Sequence, residues 1–107
     1  MSTVWMSLSV NGDLEEFETK ASLSDMQAVV GGYIEPVDTR DYTIMANEEG
    51  LLIGLPLNPY ASGLTGGYIV GNVAIVGQPD SYGNTKRLNK ATVERIRYAI
   101  TGRTYKI

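Results

Sequence analysis

Residues 68–76 read Tyr-Ile-Val-Gly-Asn-Val-Ala-Ile-Val, the strongest strand signal in the chain. Ile69, Val70, Val73, Ile75 and Val76 form a nearly continuous apolar run with no regular polar face. Such a run predicts a central strand covered on both faces. Gly71 and Asn72 interrupt it and mark a bulge or a turn within the span.

Working upstream, Val4, Met6, Leu8 and Val10 alternate with Trp5, Ser7 and Ser9, the period of a strand with one buried face. Asn11-Gly12-Asp13 supplies tight-turn chemistry, and residues 14–19 follow as the returning strand of a hairpin. Residues 33–37 read as another strand, which Pro36 confines to a sheet edge or a bulge because proline has no backbone donor. Residues 42–46 and 51–55, joined by the four-residue turn 47–50, predict a second hairpin.

Two helices are expected. Over residues 22–31, Leu23, Met26, Val29 and Val30 keep three- and four-residue spacing behind Ser22, with Asp25 as a capping-box partner and Gly31-Gly32 as the stop. Over residues 89–101, Asn89 caps a stripe of Val93, Ile96 and Ile100 that ends at Gly102. Residues 58–67 and 78–85 are rich in turn formers and read as surface loops, and residues 103–107 as a short returning strand. The expected fold is α+β, an antiparallel sheet of about six strands with two short helices, in one domain over residues 1–107.

With 107 residues, 43% of them apolar, the chain has enough apolar surface for one core and too few residues for two. It contains no cysteine and no histidine, which removes disulfides, thiolate metal sites and histidine-based catalysis. Neither a membrane-length apolar stretch nor a signal-peptide pattern is present, so a cytoplasmic location without membrane partners is expected. No cofactor and no metal is expected. The net charge is −3, yet the charges are sorted. Residues 1–50 carry Lys20 and Arg40 as their only cations, whereas residues 81–107 carry seven cations against Glu94 alone.

Three stretches carry a resemblance: V-V-G-G-Y-I-E at 29–35, N-E-E-G-L-L-I-G-L-P-L-N-P-Y-A at 47–61, and I-V-G-N-V-A-I-V at 69–76. In this order and spacing they resemble a family of small proteins of unknown function carried by bacteriophages, prophages and plasmids. The resemblance implies a mobile-element origin and action in the host bacterial cytoplasm, and it assigns no catalytic residue. Asn47 and Asn72 stand where aspartate is common in that pattern.

Candidate ligand contacts fall in two segments. Asn58, Tyr60, Ser62, Thr65 and Tyr68 combine aromatic faces with short hydroxyls, a mixture suited to adaptable recognition and equally to a plain connection. Lys86, Arg87 and Lys90 gather at the start of the last helix, where unpaired amides favour anions. The same cations have a second reading, as partners of the acidic residues 13–18 within the fold or across a homodimer. The Gly31-Gly32-Tyr33 junction follows a helix end and reads as a helix stop. Of Glu15, Glu16, Glu18, Glu35, Glu48 and Glu49, most read as solvated strand or turn positions, and Glu35, the one acidic residue on a strand within a resemblance motif, lacks the paired carboxyl that acid/base catalysis needs. The expectation is therefore a non-enzymatic phage-type interaction protein that binds and modulates a host macromolecule, a host protein first of all, with a defence component as one candidate. The alternative is a binder of a nucleotide or another phosphorylated signal. The acidic balance opposes an extended nucleic-acid footprint.

Overall fold

The structure, a computed structural model, describes residues 3–82 and 84–102. Its centre is β5 (Val73–Val76), whose four residues are all buried. β5 pairs with β1 (Trp5–Leu8) on one side and with β4 (Thr43–Asn47) on the other. β2 (Leu14–Phe17) extends the sheet beyond β1 and β3 (Ile34–Asp38) beyond β4, giving the order β2-β1-β5-β4-β3 with every pair antiparallel. Pro36 thus lies on an edge strand, where a missing backbone donor does least harm.

The alternation of side chains divides the apolar residues between two faces. Met6, Leu8, Ile44, Val73 and Ile75 join Ala61 of α2 (Pro59–Thr65) and Val93 and Ile96 of α3 (Lys90–Thr101) in one cluster. Trp5, Met45, Ala74 and Val76 join Met26 of α1 (Leu23–Val30) in the other. The result is three layers, with α1 on one face of the sheet and α2 and α3 on the other. Within the α1 layer, the rings of Trp5 and Phe17 stack across β1 and β2 with centroids 4.3 Å apart.

Both expected helices form with the expected ends. Ser22 and Asp25 exchange capping-box hydrogen bonds at the start of α1, and Gly31 closes it in a left-handed conformation. Asn89 and Gly102 do the same work for α3.

Three expectations are corrected. Most of residues 58–67 is a helix, α2, rather than a loop: the Asn58 side chain accepts from the Ala61 amide, and Pro59 takes the first turn, where its missing N–H is harmless. Residues 51–55 do not return as a strand beside β4, because β3 and β5 already hold both of its edges. The chain curls instead through turns in which Ile53 N–H donates to Glu49, Gly54 N–H to Leu51 and Leu55 N–H to Gly50. Finally, the long run at 68–76 contributes only its second half to the sheet. Gly71 at φ +79° breaks it, leaving Val70 in an isolated bridge with Leu57. The sheet therefore has five strands and the chain three helices among the described residues. The strand expected at 103–107 lies outside them.

Candidate functional site

In the tyrosine-bearing segment, polar side chains are occupied by the backbone. Asn58 is fully buried, accepting from the Ala61 amide at 3.0 Å and donating to the carbonyls of Gly71 at 2.9 Å and Leu8 at 3.3 Å. Ser62 Oγ accepts from the Ile69 amide at 2.8 Å and donates to its carbonyl at 3.2 Å. Thr65 Oγ1 donates to the Ser62 carbonyl and accepts from the Gly67 amide. The Tyr60 ring covers the β1–β2 turn so closely that a Cβ on Gly12 would lie 2.7 Å from it. Tyr68 alone of the five is well exposed, at 67%.

The basic segment has the opposite character. Residues 85–88 cross the end of β5, where Gly77 N–H donates to the Lys86 carbonyl and Leu88 N–H to the Val4 carbonyl. The approach is so close that a Cβ on Gly77 would fall 2.3 Å from the Lys86 carbonyl oxygen. With its backbone fixed, the segment brings Lys86 and Arg87 to a cavity of about 320 Å³ whose lining includes Trp5, Lys20, Ala21 and Val76. Arg87 also borders a neighbouring cavity of about 520 Å³ with Thr3, Lys90, Glu94 and Arg97. Neither cavity is lined by Asn58, Tyr60, Ser62, Thr65 or Tyr68, so the two candidate segments do not meet in one site within the chain.

The acidic and basic ends of the chain do meet, through residues other than Lys86, Arg87 and Lys90. Arg97 Nε and Nη2 donate to the two carboxylate oxygens of Glu16 at 2.8 and 2.7 Å, and Thr3 Oγ1 donates to the same carboxylate. The Arg97 hydrogen bond holds the Glu16 carboxyl below its usual pKa, against the opposing effect of burial. Arg95 pairs with Asp41 at 3.0 Å. These pairs take up two of the arginines that a nucleic-acid surface on α3 would need.

An apolar surface stands at the turns after β4. Leu51, Leu52 and Ile53 are 70%, 87% and 58% exposed on consecutive residues, and Tyr33, 69% exposed, shares with Ile53 a groove of about 460 Å³ beside the end of α1. Glu48 and Glu49, both exposed, precede this tip. Among the described residues no group of three acidic side chains is placed to hold a metal ion, and no helix is long and apolar enough to cross a membrane.

The sequence matches the family described as Domain of unknown function (DUF3846) over residues 7–101, which takes in every strand and helix of the structure but the first residues of β1. The chain belongs to the DUF3846 family. Searches of curated proteins and of solved structures returned no match.

In this DUF3846 domain Asn47 and Asn72 both tie elements together. Asn47 Nδ2 donates to the Val30 carbonyl at the end of α1 while its Oδ1 accepts from the Glu49 amide. An aspartate there would lose the first of these bonds, because an ionised carboxylate has no donor. Asn72 Oδ1 accepts from the Val10 amide, a role that aspartate also fills. The Gly31-Gly32 junction is a helix stop, both amides donating to the Gln27 carbonyl. The DUF3846 structure adds two groups to the sequence-derived candidates, Trp5 with Lys20 at the basic cavity and Tyr33 with residues 51–53 at the tip. The only sequence signal for the tip was an apolar run between two glycines, which strand patterning absorbed.

Proposed function

We propose that this DUF3846 domain is a non-catalytic interaction module that binds a host bacterial protein through the tip formed by Leu51, Leu52, Ile53 and Tyr33. The observation that carries the reading is the exposure of three consecutive large aliphatic side chains, on a hydrogen-bonded turn, beside an exposed tyrosine. Apolar surface concentrated in this way marks a contact site, whereas singly scattered apolar residues do not. Glu48 and Glu49 give the tip an acidic border, so the fitting partner presents an apolar pocket with a basic rim. That border disfavours two copies meeting tip to tip, since the same carboxylates would face each other. The resemblance to proteins of phages, prophages and plasmids is what supports looking for the partner in the bacterial host, with a component of its defence as one candidate. The cytoplasm is the corresponding location.

The test is quantitative capture from a clarified bacterial lysate by the wild-type chain and by Leu52→Asp, a change at an 87% exposed position that leaves the core untouched. A stoichiometric partner retained by the wild type and weakened about 30-fold in the variant is expected for a buried interface anchor. Equal retention by both proteins would remove the tip from the interface.

A further inference from the structure

The buried indole of Trp5 has a polar atom for which the fold provides no partner. Trp5 is 4% exposed, and its Nε1 has no hydrogen-bond acceptor. Buried donors in folded proteins are almost always paired, so an orphan of this kind singles out the surroundings of the ring. Trp5 lines the cavity of about 320 Å³ that Lys20, Lys86 and Arg87 also line. The residues lining this cavity include no carboxylate, and none of the three cations takes part in an ion pair among the described residues. In a chain of net charge −3, three cations without an ion pair among the described residues, gathered around one cavity, are a localised excess of positive charge.

We propose that this cavity binds the phosphate group of a small phosphomonoester, with Lys20, Lys86 and Arg87 neutralising it beside the Trp5 ring. The size of the cavity matches a ligand no larger than a mononucleotide. Ala21 and Val76 supply an apolar wall for the organic part of the ligand. Because Phe17 stacks on the Trp5 ring, 22° from parallel, the indole offers its edge rather than that face, and recognition centres on the anion. The site is preorganised: hydrogen bonds from Gly77 to the Lys86 carbonyl and from Leu88 to the Val4 carbonyl hold the segment that carries Lys86 and Arg87, so little ordering remains for the ligand to impose. A nucleic-acid strand fits less well, since Arg95 and Arg97 are already engaged by Asp41 and Glu16 and the acidic hairpin lies beside them. The site is separate from the apolar tip and stands whether or not the tip binds a protein.

Trp5 is the sole tryptophan, so the protein has one indole N–H signal in a proton–nitrogen correlation spectrum. That signal is followed while inorganic phosphate, adenosine monophosphate or a short single-stranded oligothymidylate is added at constant ionic strength, with sodium chloride as control. A saturable downfield shift with adenosine monophosphate, smaller with phosphate and absent with chloride, is expected. Replacing both Lys86→Gln and Arg87→Gln, at exposed positions, weakens the response about tenfold or more. A stationary indole signal, an equal shift with chloride, or a response unchanged in the double variant overturns the proposal. Saturation by the oligothymidylate without any response to the monophosphate also overturns it, in favour of a strand-tracking surface.

Discussion

The segments on either side of the central strand use their polar residues in opposite ways. In residues 58–67 the side chains of Asn58, Ser62 and Thr65 are bonded to the backbone, and what remains at the surface is largely apolar or glycine. In residues 85–88 the backbone is bonded into the fold through Gly77 and Val4, and the side chains of Lys86 and Arg87 have no ionic partner among the described residues. Amides and hydroxyls of the first kind look like ligand contacts in a sequence, yet they stabilise the chain. Charges of the second kind stabilise little, which fits the ligand contacts proposed for them. Substitutions in the two segments should therefore separate stability from binding.

The largest effect is expected at Asn58. Asn58→Asp keeps the acceptor for the Ala61 amide but leaves the carbonyls of Leu8 and Gly71 without a donor beside a buried charge. A loss of about 3 kcal/mol in urea unfolding, or about 15 °C in melting temperature, follows. A change under about 1 kcal/mol would mean that the segment is not the structural element described. Next comes Gly77→Ala, where the added methyl meets the Lys86 carbonyl and displaces the basic segment. Overpacking against backbone costs about 2 kcal/mol, and the response of the Trp5 indole to adenosine monophosphate falls with it.

A smaller effect is expected from acid. The folded-state pKa of Glu16 lies below its ordinary value because Arg97 donates to the ionised carboxylate. The stability this contributes is fully present above the ordinary value of 4.5 and is lost as the pH falls through the lower folded-state value. With the two side chains 36% and 28% exposed, solvent screening limits it to about 1 kcal/mol. Arg97→Gln should flatten this part of the pH profile measured by urea melts, leaving the contribution of Asp25, whose pKa is lowered by hydrogen bonds from Ser22. The smallest effect on stability is expected from Lys86→Gln with Arg87→Gln, within about 0.5 kcal/mol of wild type, as for surface residues without partners.

Much of the fold was legible because local chemistry and long-range packing agreed. The Asn11-Gly12 turn, the caps Ser22 and Asn89 and the apolar Val73–Val76 all point the same way at both levels, and a strand does form within residues 4–10, although its second face, expected to be open, is buried at Trp5 beneath α1. The failures have particular causes. Residues 58–67 have a turn-forming composition, although Asn-Pro is equally the start of a helix, with a cap followed by a residue that needs no N–H. Residues 51–55 have the composition of a strand, but both edges of β4 were already claimed by chain segments distant in sequence. The basic cavity was half visible. Lys86 and Arg87 declare themselves by charge, whereas Trp5 and Lys20 join them only through the packing of β1 and of the link before α1. No spacing rule connects residues so far apart.

The claim that the tip is the partner-binding surface is tested most directly by site-specific photo-crosslinking. A photoreactive side chain is placed at Leu52 in one protein and, as the comparison, at the half-exposed Tyr98 of α3 in another, and both are irradiated in a bacterial lysate. A discrete crosslinked species from position 52 with little or none from position 98 is the predicted result. Crosslinking from position 98 with none from position 52 would contradict it and move the interface to the α3 face.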